Sequence, residues 1–225
     1  MTTVLTIQRR LISLGYNPGG ADGLIGPKTL TAIDAALSAL EGKKETSPPS
    51  PAVRFLPEAW LPWAQMQRII LHWTAGNNKA STVDKAHYHI LIEGDGTPVK
   101  GVPSITANQA PVSTGYAAHT LNCNSGSIGI SLCGMTGANE KPFSAGKAPL
   151  TRDQWEAAIK AVADLCRRYS IPVTPSTVLS HAEVQGTLGI QQRGKWDIAI
   201  LPFEPALNTA TKVGDAFRAA VKANL

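Results

Sequence analysis

The stretch RIILHW, residues 68–73, decides the fold. It is short, apolar and bounded by turn-forming residues, with too few positions for a helix, so it reads as a strand buried on both faces. Working outward, HYHILIEG (87–94) alternates apolar and polar positions, turns at Gly94-Asp95-Gly96 and resumes in TPVKGV, the signal of a hairpin. SIGISLCG (127–134) reads as another buried strand, and STVLSH (176–181) as a strand that ends in a histidine. Between them, LTRDQWEAAIKAVADLCRRY (150–169) has helical spacing, with Thr151 as N-cap and Trp155, Ile159, Val162 and Cys166 along one face. At the C-terminus, PALNTATKVGDAFRAAVKANL places Leu207, Ala210, Val213, Phe217 and Val221 on one side of a helix and Lys212, Arg218 and Lys222 elsewhere around it. The expected class is α/β (α+β): a central mixed sheet flanked by helices, preceded by a small all-α module.

That module is set off by EGKKETSPPSPA (41–52), where charge, serine and proline exclude both helix and core. The expected division is a helical module over 1–40, a linker over 41–52 and a larger domain over 53–225. In the module, Val4, Ile7, Leu11 and Leu14 share a helix face that Gly15 terminates. Pro27 opens a second helix with Leu30, Ile33, Leu37 and Leu40 at core spacing. NPGGADGLIG, between them, returns the chain in a tight glycine-rich loop.

The formal charge of +5 favours anionic partners, but the basic residues are scattered and not interleaved with aromatics, which argues against nucleic acid. No apolar run is long enough to span a bilayer, and MTTVLTIQRRL lacks the marks of a secretory signal, so the expected location is the cytoplasm of the producing cell. Cys123, Cys133 and Cys166 show no CxxC spacing and read as buried thiols, with a Cys–His nucleophile as the lesser reading.

Chemistry concentrates at the strand ends. His72 closes IILH, His181 closes VLSH, and Asp197 follows in GKWDIAI. Two histidines and a carboxylate with a fourth position open are the ligand set of a catalytic zinc site, the expected cofactor being Zn2+. His87 and His89 form an H-x-H pair that would share one strand face and could bind metal. If Tyr88 points at the zinc they point away, and the structural reading is preferred.

Two resemblances sharpen this. IQRRLISLGYNPGGADGLIGPKTLTAI resembles the peptidoglycan-binding module of wall hydrolases, through Gln8, Leu11, Gly15-Tyr16, Asp22-Gly23-x-x-Gly26 and Thr29. ILHWTAG, HYHILIEGDGTPVKG, SIGISLCG, LSHAEV and GKWD, in order over about 66–202, resemble the type-2 N-acetylmuramoyl-L-alanine amidases and the related peptidoglycan recognition proteins. The resemblance implies zinc on His72, His181 and Asp197, catalytic roles for Tyr88 and Lys195, and a substrate contact at His119. Thr74 and Asn124 are further groove candidates. Ser131 stands where many cytosolic recycling relatives carry Glu, which leaves the general base open, with Glu93 and Glu183 as fallbacks. The stretch between His181 and Asp197 is longer than in compact members and is expected to line a groove.

The implied function is an endolysin that cuts the amide between N-acetylmuramic acid and L-alanine. The alternatives are a non-catalytic peptidoglycan recognition protein and a cytosolic muropeptide-recycling amidase. Bacterial peptidoglycan is the expected partner and a monomer the expected state. For the C-terminal helix two roles stay open: packing on the core, or weak contact with anionic membrane.

Overall fold

A computed structural model describes residues 3–42 and 54–225. The chain divides into two compact units, Met1–Val53 and Arg54–Leu225. The expected linker lies outside the described residues except at its start, where a helix continues to Gly42.

In the first unit, α1 (Val4–Ser13) and α2 (Pro27–Gly42) are joined by the glycine-rich loop. Their core is not the leucine stripe expected from spacing. Leu14, Leu30 and Leu37 are more than half exposed, and the side chain of Leu40 lies outside the described set. What is buried among the described residues is Leu11, Pro18, Ala32, Thr29 and, at 1% exposure, Gln8. The Gln8 amide donates to Asp22 Oδ1 (2.8 Å), Leu24 O (2.9 Å) and Thr29 Oγ1 (3.2 Å), and its oxygen accepts from the Gly23 N–H (2.8 Å). A polar knot therefore closes the loop onto α1. Hydrophobic periodicity cannot reveal such a centre, because the residue at it is a glutamine.

The second unit is built on a five-stranded mixed sheet of order β3-β2-β4-β1-β5. Its strands are β1 (Arg68–Trp73), β2 (Ile90–Ile92), β3 (Pro98–Lys100), β4 (Ser127–Leu132) and β5 (Val178–Ser180). β4 and β5 run parallel to β1 on either side, β2 runs parallel to β4, and only the β2–β3 hairpin is antiparallel. The helices are α3 (Thr82–His87), α4 (Arg152–Tyr169), α5 (His181–Leu188) and α6 (Ala210–Ala223). The expected α+β class holds.

Strand alternation assigns two faces to the sheet. Ile69, Leu71 and Trp73 of β1 and Ile128, Ile130 and Leu132 of β4 enter the main core with the inner face of α4. The opposite face of β1 carries Ile70 and His72, and that of β4 carries only Ser127, Gly129 and Ser131. This row of small residues leaves the space in which the site is built. α4 begins at the expected cap, where Thr151 and Gln154 form a reciprocal capping box, and Trp155, Ile159, Val162 and Cys166 are buried as expected.

Two sequence expectations change. HYHILIEG is not one strand: α3, capped by Ser81 and Asp84, runs to His87, and the strand starts at Ile90. The H-x-H pair is thereby broken up. His87 is exposed and bonded to Val83 O, whereas His89 is buried, with its Nδ1 accepting from the Gly129 N–H and its Nε2 facing Asn108 Oδ1. Arg218 is likewise not on the outer face of α6. It is buried and meets Glu183 (2.9 Å), Asp215 (2.7 Å) and Val178 O (3.0 Å). Val213, Phe217 and Val221 face inward as expected.

Candidate active site

β1 and β5 are neighbours in register, so the residues at their C-terminal ends converge. His72 is the fifth residue of β1, and His181 is the first of α5, directly after β5. Glu183 accepts from the Ser180 N–H and hydroxyl and so holds the turn that presents His181. The backbone carbonyl of Asp197 accepts from the Ala182 N–H (2.7 Å), which pins the following loop against the same helix start. Three side chains distant in sequence are thus brought together and buried.

Their facing atoms form a near-equilateral triangle. His72 Nδ1 lies 3.0 Å from His181 Nδ1 and 3.2 Å from Asp197 Oδ2, and His181 Nδ1 lies 3.1 Å from Asp197 Oδ2. Ligand bonds of about 2.0–2.1 Å in a tetrahedral zinc site put neighbouring donor atoms about 3.3 Å apart, so the triangle has the right size for such a cation.

Protonation agrees with the geometry. His181 Nε2 faces Gln192 Oε1 at 2.9 Å, and the Gln192 amide nitrogen is spent on Leu121 O, so the oxygen is what His181 meets. An amide oxygen only accepts; His181 therefore carries its proton on Nε2 and turns a bare Nδ1 to the triangle. Burial alone would raise the Asp197 carboxyl, but its contacts with His181 and His72 outweigh it and hold the group at about 2, so it is ionised. Burial pushes His72 down to about 4 against the pull of Asp197, which makes it a neutral ring rather than an ion-pair partner at pH 7. The residues present fit a divalent metal ion.

The triangle sits in the wall of a cleft of about 730 Å³. Trp73, Tyr88, Tyr116, Arg193 and Lys195 contribute to its lining, as do Thr74, Asn124 and the loop after α5, in keeping with the expected groove. Tyr88 packs its ring 5.3 Å from that of His72, and burial pushes its phenol well above the ordinary range, so it is a neutral hydroxyl. Arg193 and Lys195 are exposed and make no salt bridge among the described residues. His119 lines the cleft but is 7% exposed and lies behind His72, with ring centroids 5.1 Å apart.

Neither fallback base belongs to this cleft. Glu93 is held by Lys79 and the Ala80 N–H, and Glu183 by Ser180 and Arg218. Nor do the cysteines line it, and burial pushes the thiols of Cys133 and Cys166 up to about 12. Sequence reading missed Gln192, which orients His181. A glutamine in a polar loop carries no signal of its own there.

An α+β sheet with a two-histidine, one-carboxylate cluster at its strand ends defines a protein able to hold a metal ion in an open cleft. The family model for N-acetylmuramoyl-L-alanine amidase matches residues 62–197, and a peptidoglycan binding domain model matches residues 1–36. The chain belongs to the N-acetylmuramoyl-L-alanine amidase family and is a peptidoglycan amidase. No curated protein sequence matches it.

Among solved structures it is similar to the endolysin N-acetylmuramoyl-L-alanine amidase LysCS from Clostridium intestinale URNW. The identity is 19%, with 63% of this chain and 80% of the other covered, at a TM-score of 0.40. It is also similar to the Ph2119 endolysin from the Thermus scotoductus MAT2119 bacteriophage Ph2119 (17% identity, 68% and 87% covered, TM-score 0.43). A third likeness is to AmiD from E. coli, in complex with anhydro-N-acetylmuramic acid-L-Ala-D-gamma-Glu-L-Lys (22% identity, 61% and 53% covered, TM-score 0.39). Family membership rests on the family-model match and not on these distant likenesses.

Proposed function

We propose that the chain is a zinc-dependent endolysin that hydrolyses the amide between the lactyl group of N-acetylmuramic acid and L-alanine. The observation that carries this reading is the convergence of His181 Nδ1, Asp197 Oδ2 and His72 Nδ1, three buried ligand atoms 3.0–3.2 Å apart. Two imidazole nitrogens and a carboxylate oxygen at this spacing are the ligand set that zinc takes.

Bound on His72, His181 and Asp197, zinc would supply Lewis acidity and water activated near neutral pH. The chain's own residues do the rest. The Lys195 ammonium, exposed in the cleft two residues before Asp197, balances negative charge that develops on the substrate carbonyl oxygen. The Tyr88 phenol keeps its proton and donates to the same oxygen or orients the attacking water. Tyr116 offers aromatic surface to a sugar or peptide, and Arg193, without a salt bridge among the described residues, suits the carboxylates of an acidic stem peptide. The module over 1–40, joined by a linker over 41–52, tethers the enzyme to its polymer and raises local substrate concentration. The reading includes synthesis in the cytoplasm and action on the wall after release.

Mass spectrometry of digested sacculi, with zinc quantified in the same preparation, tests this. The expected products are stem peptides with a free L-alanine amino terminus and glycan with free lactyl carboxylates. His72→Ala, His181→Ala and Asp197→Ala are expected to lose both zinc and product. Cleavage at another bond, or full turnover by a zinc-free chain, would overturn the reading. Binding to sacculi without any product would favour a recognition protein.

A further inference from the structure

His72 has a second ring nitrogen, and its surroundings are as specific as those of the first. Nε2 lies 3.1 Å from His119 Nδ1 and 3.3 Å from Thr120 Oγ1, which are themselves 2.8 Å apart. The other nitrogen of His119, Nε2, faces the Ser127 carbonyl at 3.4 Å. A carbonyl only accepts, so His119 carries its proton on Nε2 and presents a bare Nδ1. The His72 Nε2 proton then goes to His119 Nδ1, either directly or through the Thr120 hydroxyl, which can accept from one ring and donate to the other. Either path leaves His72 Nδ1 bare and aimed at His181 and Asp197. The opposite arrangement would set a lone pair of His119 against the Ser127 carbonyl. It would also put an N–H of His72 inside the triangle, where a metal ion must sit.

We infer that His119 is a positioning residue that fixes the tautomer of His72, rather than a substrate contact. The inference rests on the metal reading of the triangle.

The position of the His119 ring is itself built. A β-carbon at Gly129 would stand 2.5 Å from its Cγ and 2.6 Å from its Cδ2, so this glycine on β4 is the notch that admits the ring. Asn124 Oδ1 accepts from the backbone N–H groups of both His119 (3.0 Å) and Thr120 (2.9 Å). Asn108 ties the same loop by donating to Ala117 O and Asn124 O. His89 faces the Asn108 side-chain oxygen, and its other nitrogen accepts from the Gly129 N–H. His72, His119, Thr120, His89 and Asn108 are all buried, as a tautomer-setting partner requires and a substrate-reading group does not.

Two measurements on the full chain test this. Ring nitrogen shifts of the metal-free wild-type protein should show His72 protonated on Nε2. Zinc affinity, read by competition with a chromophoric chelator, should weaken about 10- to 100-fold in His119→Phe, the usual effect of removing such a partner. His119→Gln, which keeps an acceptor and a donor, should recover most of that loss. Either of two results overturns the inference: a folded His119→Phe chain with zinc affinity within about twofold of wild type and a raised KM, or wild-type His72 protonated on Nδ1. If His119→Phe fails to fold, the wild-type shifts decide. A wild-type chain that binds no zinc would defeat the metal reading, a separate result, because the tautomer is read without metal.

Discussion

Arg218 joins the last helix to the turn that presents His181, so replacing it should show in both stability and metal binding. Its guanidinium donates to Val178 O at 3.0 Å and meets Glu183 at 2.9 Å, with both side chains of the pair 6% exposed. Its other partner, Asp215, is 65% exposed and adds little. Arg218→Met keeps the aliphatic stem but leaves Glu183 buried without its counter-charge and Val178 O without its donor. Stripping one partner from a buried pair typically costs about 3–5 kcal/mol. At about 2–4 °C per kcal/mol for a domain of this size, calorimetry should show the amidase unit melting roughly 6–20 °C lower. The double variant Arg218→Met/Glu183→Gln should regain more than half of the loss. Glutamine removes the stranded charge, and its oxygen can still accept from the Ser180 N–H. Zinc affinity should fall in the single variant and return in the double, since Ser180 immediately precedes His181. A single variant that melts within about 2 °C of wild type would refute the claim that this pair holds α6 against β5 and α5.

Lys195→Ala and Tyr88→Phe should keep zinc and melting temperature while turnover drops, by about 100- to 1,000-fold if either group stabilises the developing oxyanion. Near-normal turnover in both would remove that role. Gln8→Ala should unfold the N-terminal unit alone, since each buried partner left unsatisfied costs about 1–3 kcal/mol. Protease digestion should then remove the module and leave the unit Arg54–Leu225 with its normal melting transition. Burial, partly offset by Asn108, depresses His89 to about 4, so its contribution is complete above pH ~6.5 and is lost as the pH falls toward 4. In metal-free protein this loss amounts to about 3 kcal/mol, and His89→Gln should remove that share of the pH dependence of melting over the window, leaving the share that His72 contributes. The apolar face of α6 is covered by the core, so full-length protein should stay in the supernatant with anionic vesicles; salt-sensitive pelleting would show a membrane role instead.

Much was legible from local pattern. RIILHW, SIGISLCG and the Thr151-capped helix are one-dimensional signals, because strand period, helix period and capping are properties of neighbours in the chain. His72, His181 and Asp197 could be named from their places beside strand ends and from family resemblance. Their approach to within 3.0–3.2 Å depends on β5 pairing with β1 and on the Asp197 carbonyl meeting Ala182, which are long-range facts.

Other features stayed hidden for a common physical reason: their chemistry lies between residues and not in them. Gln8 was legible only as a residue shared with the peptidoglycan-binding module, yet it is the centre of the module because the loop folds its own backbone onto that side chain. Arg218 fell off the apolar face of the C-terminal helix by its spacing, yet Glu183 waits for it beneath the helix. Gly129 and Ser131 looked like the small residues of a buried strand. The fold turns that smallness into space, and the His119 ring fills part of it. The sequence by itself determined the strands β1, β4 and β5, the helices α1, α2, α4 and α6, and which side chains can bind a metal. Tertiary structure alone decided which nitrogen His181 and His72 offer, because a tautomer is set by the partner across the hydrogen bond, and those partners are 11 and 47 positions away.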